Sequence, residues 1–254
     1  MPATPAAMFW SGGKDSAMAL DRVRRTGEHR VEALITTINP DFGRVSMHGV
    51  RETLVEAQAQ AADLPLERMY VGSSADGGAY VSALRDVLAG QRRRGVEAVI
   101  FGDIFLADLR AWREGLLAEC GLRGVFPLWG EDTAKLSRDF VAGGFKAVTC
   151  CVDDAHLGAD AVGRELDARF FDDLPRSVDP CGENGEYHSF VYDGPVFGRP
   201  VAFTAGERVY RPLGSTPADA GAGDDGAHPA IPVPAPLADS ATKGFWFVDL
   251  LPAD

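Results

Sequence analysis

The 254-residue sequence contains no Cys-x-x-Cys pair, no run approaching the ~18 apolar residues of a membrane span, and no basic-then-apolar leader at its start. The first absence removes the usual framework of a zinc site or an iron–sulfur cluster. The other two make a cytoplasmic protein that does not enter a membrane the default expectation. Positive charge is also scarce. Lys and Arg number 25 against 37 Asp and Glu, a formal net charge of −12. A general nucleic-acid surface is therefore not expected, because phosphate binding needs clustered cations. The one dense basic run, Arg92-Arg93-Arg94, reads as a solvated helix end, where cations complement the dipole. Of the four cysteines, Cys120, Cys150, Cys151 and Cys181, the adjacent pair falls in an apolar run and is expected as buried, inert thiols. Cys181 falls in a polar loop. No internal repeat is visible.

What is present is a core and a pattern. Hydrophobic residues make up 46% and charged residues 24%, and the length allows one large domain or two modest ones. Through about residue 150, short apolar runs alternate with segments of helical period. The runs are Ala6–Trp10, Val31–Ile38, Leu66–Val71, Val96–Phe101, Val125–Trp129 and Lys146–Val152. The segments between them place Ala17, Leu20 and Val23 on one helix face, Val50, Leu54, Ala57 and Ala61 on another, and Val81, Leu84 and Leu88 on a third. Wholly apolar strands alternating with helices predict an α/β fold with a parallel, doubly wound sheet covered on both faces.

Beyond about Asp153 the pattern changes. "DARFFDDLP" reads as a short helix stopped by Pro175, followed by the Gly- and acid-rich turn "DPCGENGEYHS". Alternating runs at Tyr187–Tyr192, Arg199–Thr204, Glu207–Arg211 and Phe245–Leu250 predict antiparallel strands of a smaller C-terminal α+β domain. The expected domains are residues 1–130 and 131–254. At about 212–243 a stretch rich in Pro, Ala, Gly and Asp has no periodicity, and is expected as a disordered insertion between two paired strands.

The most specific string is "SGGKDS", Ser11 to Ser16, which follows the first apolar run and opens the first helical segment. A phosphate site needs free backbone N–H groups, no obstructing side chain, and the positive end of a helix. Gly12 and Gly13 lack a Cβ and can adopt positive φ. The helix beginning near Asp15 supplies the dipole, Lys14 a mobile cation, and Ser11 and Ser16 hydroxyl donors. The string is not a Walker A loop, in which the lysine is followed by Ser or Thr. A carboxylate beside phosphates repels them unless Lys14 or a divalent cation neutralises it, so Asp15 is a candidate Mg²⁺ contact or a helix cap. Ligands of open α/β sheets sit beyond the carboxyl ends of the strands. Thr36 and Thr37, ending the second run, and Gly102 and Asp103, ending the fourth, are therefore expected at the same edge as the loop.

The SGGKDS string resembles the PP-loop of the ATP pyrophosphatase superfamily, with its adenine nucleotide α-hydrolase-like fold. Together with "TTINPDFGRVSMHGVR" (Thr36–Arg51), "FGDI" (Phe101–Ile104), "FPLWGEDT" (Phe126–Thr133) and "DPCGENGEYHSFVYDGPVF" (Asp179–Phe197), it looks like the diphthine–ammonia ligase family. The likeness runs from about residue 6 to 211 and resumes at "GFWFVDLLP". It implies ATP and Mg²⁺ as cofactors and an amide-forming, AMP-forming ligase. A carboxylate would be adenylated with release of pyrophosphate, and ammonia would then displace AMP. No glutaminase domain is visible, so free ammonia is the expected donor.

The resemblance also implies roles. Ser11, Gly12, Gly13, Lys14, Asp15 and Ser16 would hold phosphates, Thr36 and Thr37 would lie near the adenosine, and Gly102 would permit close approach of the nucleotide. Asp103 would face the metal or the acceptor. Lys14, Asp15, Asp103, Glu183 and Glu186 form the expected catalytic set. His48, in "MHG", is either a phosphate contact or an ordinary packed or capping histidine. The acceptor is expected at Glu183, Asn184, Gly185, Glu186, His188 and Ser189. Two carboxylates there suit a cationic substrate such as diphthine, or an amine nucleophile. If Tyr187 begins a strand, Glu186 and His188 share a face. Cys181 has no evident partner base and reads as loop structure. Other readings stay open: the same chemistry on a small-molecule acceptor, in cobamide salvage if the Ala/Arg/Asp-rich composition marks a bacterium, or a non-catalytic ATP sensor. The acidic motif speaks against a sensor. The net charge and the lack of an RNA-binding addition speak against tRNA modification. A homodimer is left open.

Overall fold

A computed structural model describes residues 2–72, 77–213 and 242–253. The first sheet is built from β1 (Thr4–Phe9), β2 (His29–Asn39), β3 (Arg44–Val45), β4 (Leu66–Tyr70), β5 (Ala98–Ile100) and β6 (Arg123–Val125). Its helices are α1 (Lys14–Thr26), α2 (Glu52–Ala61), α3 (Gly77–Arg93) and α4 (Ala107–Glu119). Strand order across the parallel part is β4-β2-β1-β5-β6, and the short β3 pairs antiparallel with the end of β2. The central strands β1 and β5 and the middle of β2 are apolar because both faces there are covered. Ala6 and Met8 of β1, Leu34 and Ile38 of β2, and Ala98 and Ile100 of β5 pack with α1 and α2. The alternate residues Ala7, Ile35 and Val99 pack on the other face with α3 and α4. This is the doubly wound α/β sheet expected.

The second sheet is antiparallel. It comprises β7 (Lys146–Asp153), β8 (Tyr187–Asp193), β9 (Phe203–Pro212) and β10 (Gly244–Pro252), in the order β8-β7-β10-β9. Helices α5 (Thr133–Ala142) and α6 (Ala168–Asp173) accompany it, each with an aspartate, Asp132 and Asp167, capping its N-terminus. The core under α1 and α2 runs without a break into this sheet through Phe140, Val148, Cys150, Phe170, Tyr187 and Phe190. Cys150 and Cys151 are buried, as expected, and form no disulfide among the described residues.

Three expectations are corrected. Lys146–Val152 belongs to the antiparallel sheet rather than continuing the parallel one, since it pairs with β8 and β10. An apolar run cannot by itself distinguish a strand buried in either kind of sheet. The strand expected at Val125–Trp129 is β6, Arg123–Val125, and the residues after it form turns. The two runs Arg199–Thr204 and Glu207–Arg211 are one strand, β9, and residues 199–202 lie outside it.

Residues 214–241 of the expected insertion lie outside the described residues. The strands flanking it do pair, with Gly244 opposite Pro212. Leu213 N–H donates to the Lys243 carbonyl at 2.7 Å, and Asp154 Oδ1 accepts from the Lys243 and Gly244 amides.

Candidate active site

In the order β4-β2-β1-β5-β6 the chain leaves β1 toward β2 on one side and later returns to β5 on the other. Ligand clefts of such sheets open at this switch point, beyond the carboxyl ends of the two strands. Ser11 follows β1 and Gly102 follows β5. Between them opens a cavity of about 510 Å³, within the range of ~300–1,000 Å³ for small-molecule sites. Its wall includes Ser11, Gly13, Lys14, Asp15, Ser16, Thr36, Thr37, His48, Gly102 and Asp103 from the first sheet. The second sheet adds Cys181, Glu183, Asn184, Gly185, His188 and Ser189. Thr36 and Thr37 sit inside β2, which continues to Asn39, rather than at its end.

The loop geometry follows from its glycines. Gly12 has φ 80°, and a Cβ there would stand 2.6 Å from Gln58 Oε1. A Cβ on Gly13 would meet His48 Nε2 at 3.0 Å and the Ser189 carbonyl at 3.1 Å. One on Gly102 would meet the Asp15 backbone at 2.9 Å. The chain thus passes where side chains cannot. Ser11 Oγ accepts the Gly13 amide at 3.2 Å, and Ser16 Oγ donates to the Gly13 carbonyl at 2.8 Å. No side chain caps α1.

Behind the loop stands Gln58, a residue the sequence analysis passed over. It is fully buried. Its Nε2 donates to the carbonyls of Gly12 at 3.0 Å and Val191 at 2.6 Å, and its Oε1 accepts from Trp10 Nε1 at 3.0 Å. It ties β1, the loop and β8 together. The available signal was a glutamine on the buried stripe of an amphipathic helix, four residues after Leu54. Gly12 faces this glutamine and does not reach the cavity wall.

The second sheet meets the loop directly. Ser189 Oγ accepts the Lys14 amide at 3.1 Å, and Val191 N–H donates to the Gly12 carbonyl at 2.9 Å. Lys14, 3% exposed, points its ammonium at both oxygens of Asp15, at 2.8 and 2.7 Å, and at the Cys181 carbonyl. Burial disfavours its charge, but Asp15, Tyr187 and Cys181 outweigh burial and hold its pKa above the ordinary lysine value. Asp15 is raised by burial, against the pull of Lys14.

The two expected glutamates diverge. Glu183 lines the cavity, and its Oε1 accepts the Ile104 amide at 2.7 Å. Burial, then the charges of Asp15 and Asp103, push its pKa up to about 8. Glu186 does not reach the wall. It is 1% exposed, and its carboxylate accepts from the amides of Asp179 (2.9 Å) and Asn184 (3.0 Å) and from Asn184 Nδ2 (3.0 Å). Glu186 and His188 therefore do not open onto the same space, because Gly185 (φ 95°) turns the chain and Glu186 folds back on its own loop. Asp103 is engaged by Arg113, whose guanidinium lies 4.3 Å from the Phe101 ring centroid. Cys181 is buried and its thiol is pushed up by burial, in keeping with loop structure.

The His48 ring packs against that of His188, tilted by 37° with centroids 4.5 Å apart. Burial, then the Lys14 charge, lower its pKa to about 4, so its ring is neutral near pH 7. Its Nδ1, with Thr36 Oγ1 and Ser46 Oγ, is buried with no hydrogen-bond partner among the described residues. All three residues line the cavity. Buried polar atoms without partners are uncommon, and a cluster of them on one wall suits a polar ligand.

Comparison with known proteins identifies the family. Residues 4–124 match the diphthamide synthase N-terminal domain, and residues 132–214 match the diphthamide synthase C-terminal domain. The diphthine–ammonia ligase of Schizosaccharomyces pombe is 28% identical over 222 residues, 78% of this chain and 36% of that protein. The diphthine–ammonia ligases of Mus musculus and Homo sapiens are each 27% identical over 80% of this chain and 84% of their own length. The chain thus spans about a third of the fission-yeast relative and most of the mammalian ones. With both of its domains present and in order, the chain belongs to the diphthamide synthase family.

Proposed function

We propose that the chain is an ATP-dependent, amide-forming ligase whose acceptor is a diphthine-bearing protein and whose nitrogen donor is ammonia. The observation that carries this reading is the shared cavity: the glycine loop and the Cys181–Ser189 segment wall one space and are bonded across it through Lys14. An enzyme joining a nucleotide to a second substrate needs such a meeting point. Family membership, and the diphthine–ammonia ligase activity of the relatives, support diphthine and ammonia as the substrates.

The donor set fits ATP. The glycine loop at the start of α1 suits phosphates, and the partnerless Thr36, Ser46 and His48 atoms suit a polar ligand. Lys14 would exchange its contact with Asp15 for phosphate oxygens as negative charge develops there. Among the described residues no three His, Cys, Asp or Glu side chains form a ready metal cage. That composition suits Mg²⁺ carried on nucleotide, which takes one or two carboxylates besides phosphate and water; Asp15 is the carboxylate at the loop. When bound, the ion would neutralise phosphate charge.

The bond changes balance as follows. A carboxylate oxygen of the acceptor attacks the α-phosphorus and pyrophosphate leaves. Ammonia then attacks the acyl carbon, and AMP leaves with the former carboxylate oxygen. Ammonium must first lose a proton. Glu183, with a pKa near 8 at the cavity wall, is suited to take it. Glu186 shapes the loop that presents Glu183. The test is product analysis: ATP, Mg²⁺, ammonium and a diphthine-bearing acceptor should give AMP and pyrophosphate in step with amide. ADP and phosphate would overturn the reading.

A further inference from the structure

His48 reaches the cavity on a strained turn. Met47, not a glycine, sits in the left-handed region at φ 69°, and Gly49 follows at φ 67°. Such a residue persists only where its surroundings hold it. Some restraint is local: Ser46 N–H donates to the Thr37 carbonyl and Gly49 N–H to the Val45 carbonyl, both at 3.0 Å. The rest comes from the far end of the chain. Arg44 donates to the Gly49 carbonyl at 2.7 Å and to Asp249 Oδ1 at 3.0 Å. Arg51 grips the same carboxylate with two bonds, Nε to Oδ1 at 2.9 Å and Nη2 to Oδ2 at 2.6 Å. The Phe247 ring lies so close to Gly49 that a Cβ there would stand 2.8 Å from it.

Asp249 and Phe247 belong to β10, beyond residue 214 where the match to the C-terminal domain ends. The β9–β10 ladder slips between Val248 and Leu250, so that Asp249 alone faces Gly206 and Glu207. Bulges of this kind re-aim side chains. Here the last strand of the antiparallel sheet reaches across to the turn after β3.

We propose that Asp249 is a positioning residue: by pinning Arg44 and Arg51 at the base of the turn it holds His48 against Gly13 and His188, and so shapes the nucleotide end of the cavity. The structural half of this stands on the contacts alone; the functional half rests on the ATP reading above. The ion cluster is partly exposed, and such pairs contribute little to global stability. Its loss should therefore appear in the placement of His48 more than in unfolding.

The test uses the full chain with Asp249→Asn and Asp249→Glu. Three quantities are measured: the His48 imidazole resonances of ligand-free protein by NMR, the thermal midpoint, and the Kd for Mg-ATP by calorimetry. Asp249→Asn should move the His48 resonances, lower the midpoint slightly, and weaken Mg-ATP by about tenfold or more, as displaced binding groups do. Asp249→Glu should recover most of both effects. A folded Asp249→Asn protein with unmoved His48 resonances and unchanged Kd overturns the proposal. Should that variant fail to fold, Arg51→Gln, which leaves Arg44 on the carboxylate, is measured in its place: shifted resonances and a weaker Kd support the proposal, and unmoved resonances with an unchanged Kd overturn it. Wild-type protein that does not bind Mg-ATP would defeat the ATP reading, and the His48 resonances would still decide the positioning role.

Discussion

At the ends of β1 and β5 the parallel sheet brings to the cavity a backbone cradle at Ser11, Gly13, Ser16 and Gly102, with Lys14, Asp15 and Asp103 beside it. The antiparallel sheet brings polar side chains from β8 and the loop before it: Glu183, His188 and Ser189. The first group is fixed by backbone geometry, since a Cβ at Gly12, Gly13 or Gly102 would collide with its neighbours. The second is fixed by which hydrogen-bond partners happen to be nearest. Two carboxylates three residues apart therefore end in opposite places. Glu183 faces the cavity, and Glu186 is consumed by three donors of its own loop. On the proposed reading, rigid backbone would form the phosphate cradle, and side chains selected by tertiary contacts would form the proton-handling wall.

The largest expected effect separates the two glutamates. Glu183→Gln should leave the thermal midpoint at neutral pH unchanged or raised and lower amide formation by about 10²–10⁴-fold, the usual cost of losing an acid–base group. Glu186→Ala should instead destabilise the protein by about 2 kcal/mol, because buried amides lose their acceptor. Activity assays beside denaturant unfolding read both. If the two variants behave alike, the distinction between wall and spine fails.

Next in size is Gln58→Met. It leaves the buried Trp10 Nε1–H and the Val191 carbonyl without the amide, at a cost on the order of 3 kcal/mol. It should also loosen the loop and weaken ATP. Unchanged unfolding and unchanged ATP affinity would show that the glycine loop stands without its link to β8.

What the sequence made legible follows the same division. The glycine loop, the parallel sheet and the meeting of Ser11–Ser16 with Gly102 could be read because strand–helix alternation and the backbone freedom of glycine are local properties. The place of Glu186 could not, because a carboxylate beside Gly185 looks the same whether it turns outward or back. Gln58 was hidden as one polar residue on an apolar stripe. Arg44, Arg51 and Asp249 were hidden by some 200 residues of separation. The strand Lys146–Asp153 was assigned to the wrong sheet because its burial on both faces mimics a parallel strand.

A smaller effect concerns pH. The folded protein holds the Glu183 proton up to about 8, well above the ordinary glutamate value of 4.5. That group's contribution is full below the ordinary value and is lost as pH rises through about 8. His48 works oppositely: its pKa falls from 6.5 to about 4, so its contribution is present above 6.5 and lost as pH falls through about 4. The midpoint of Glu183→Gln should therefore gain on wild type between about pH 5 and 8, read by thermal scans across that range. A constant difference would show that Glu183 does not hold its proton.

The smallest effect is expected from removing residues 214–241 and joining Leu213 to Thr242 through a short linker. Thr242 stays because its hydroxyl donates to Asp153 at 2.7 Å. The flanking strands are already fastened through Leu213, Lys243 and Asp154, so the midpoint should move by less than about 2 °C, as loop-tip changes commonly allow. A large drop would tie the insertion to the fold.

The most direct test of the shared cavity as a ligase site is the fate of an oxygen atom. A diphthine-bearing acceptor whose carboxylate carries ¹⁸O at both oxygens is turned over with ATP, Mg²⁺ and ammonium, and the AMP is analysed by mass spectrometry. The account predicts one ¹⁸O on the phosphate of each AMP released. AMP free of label, or label found in inorganic phosphate beside ADP, would contradict it.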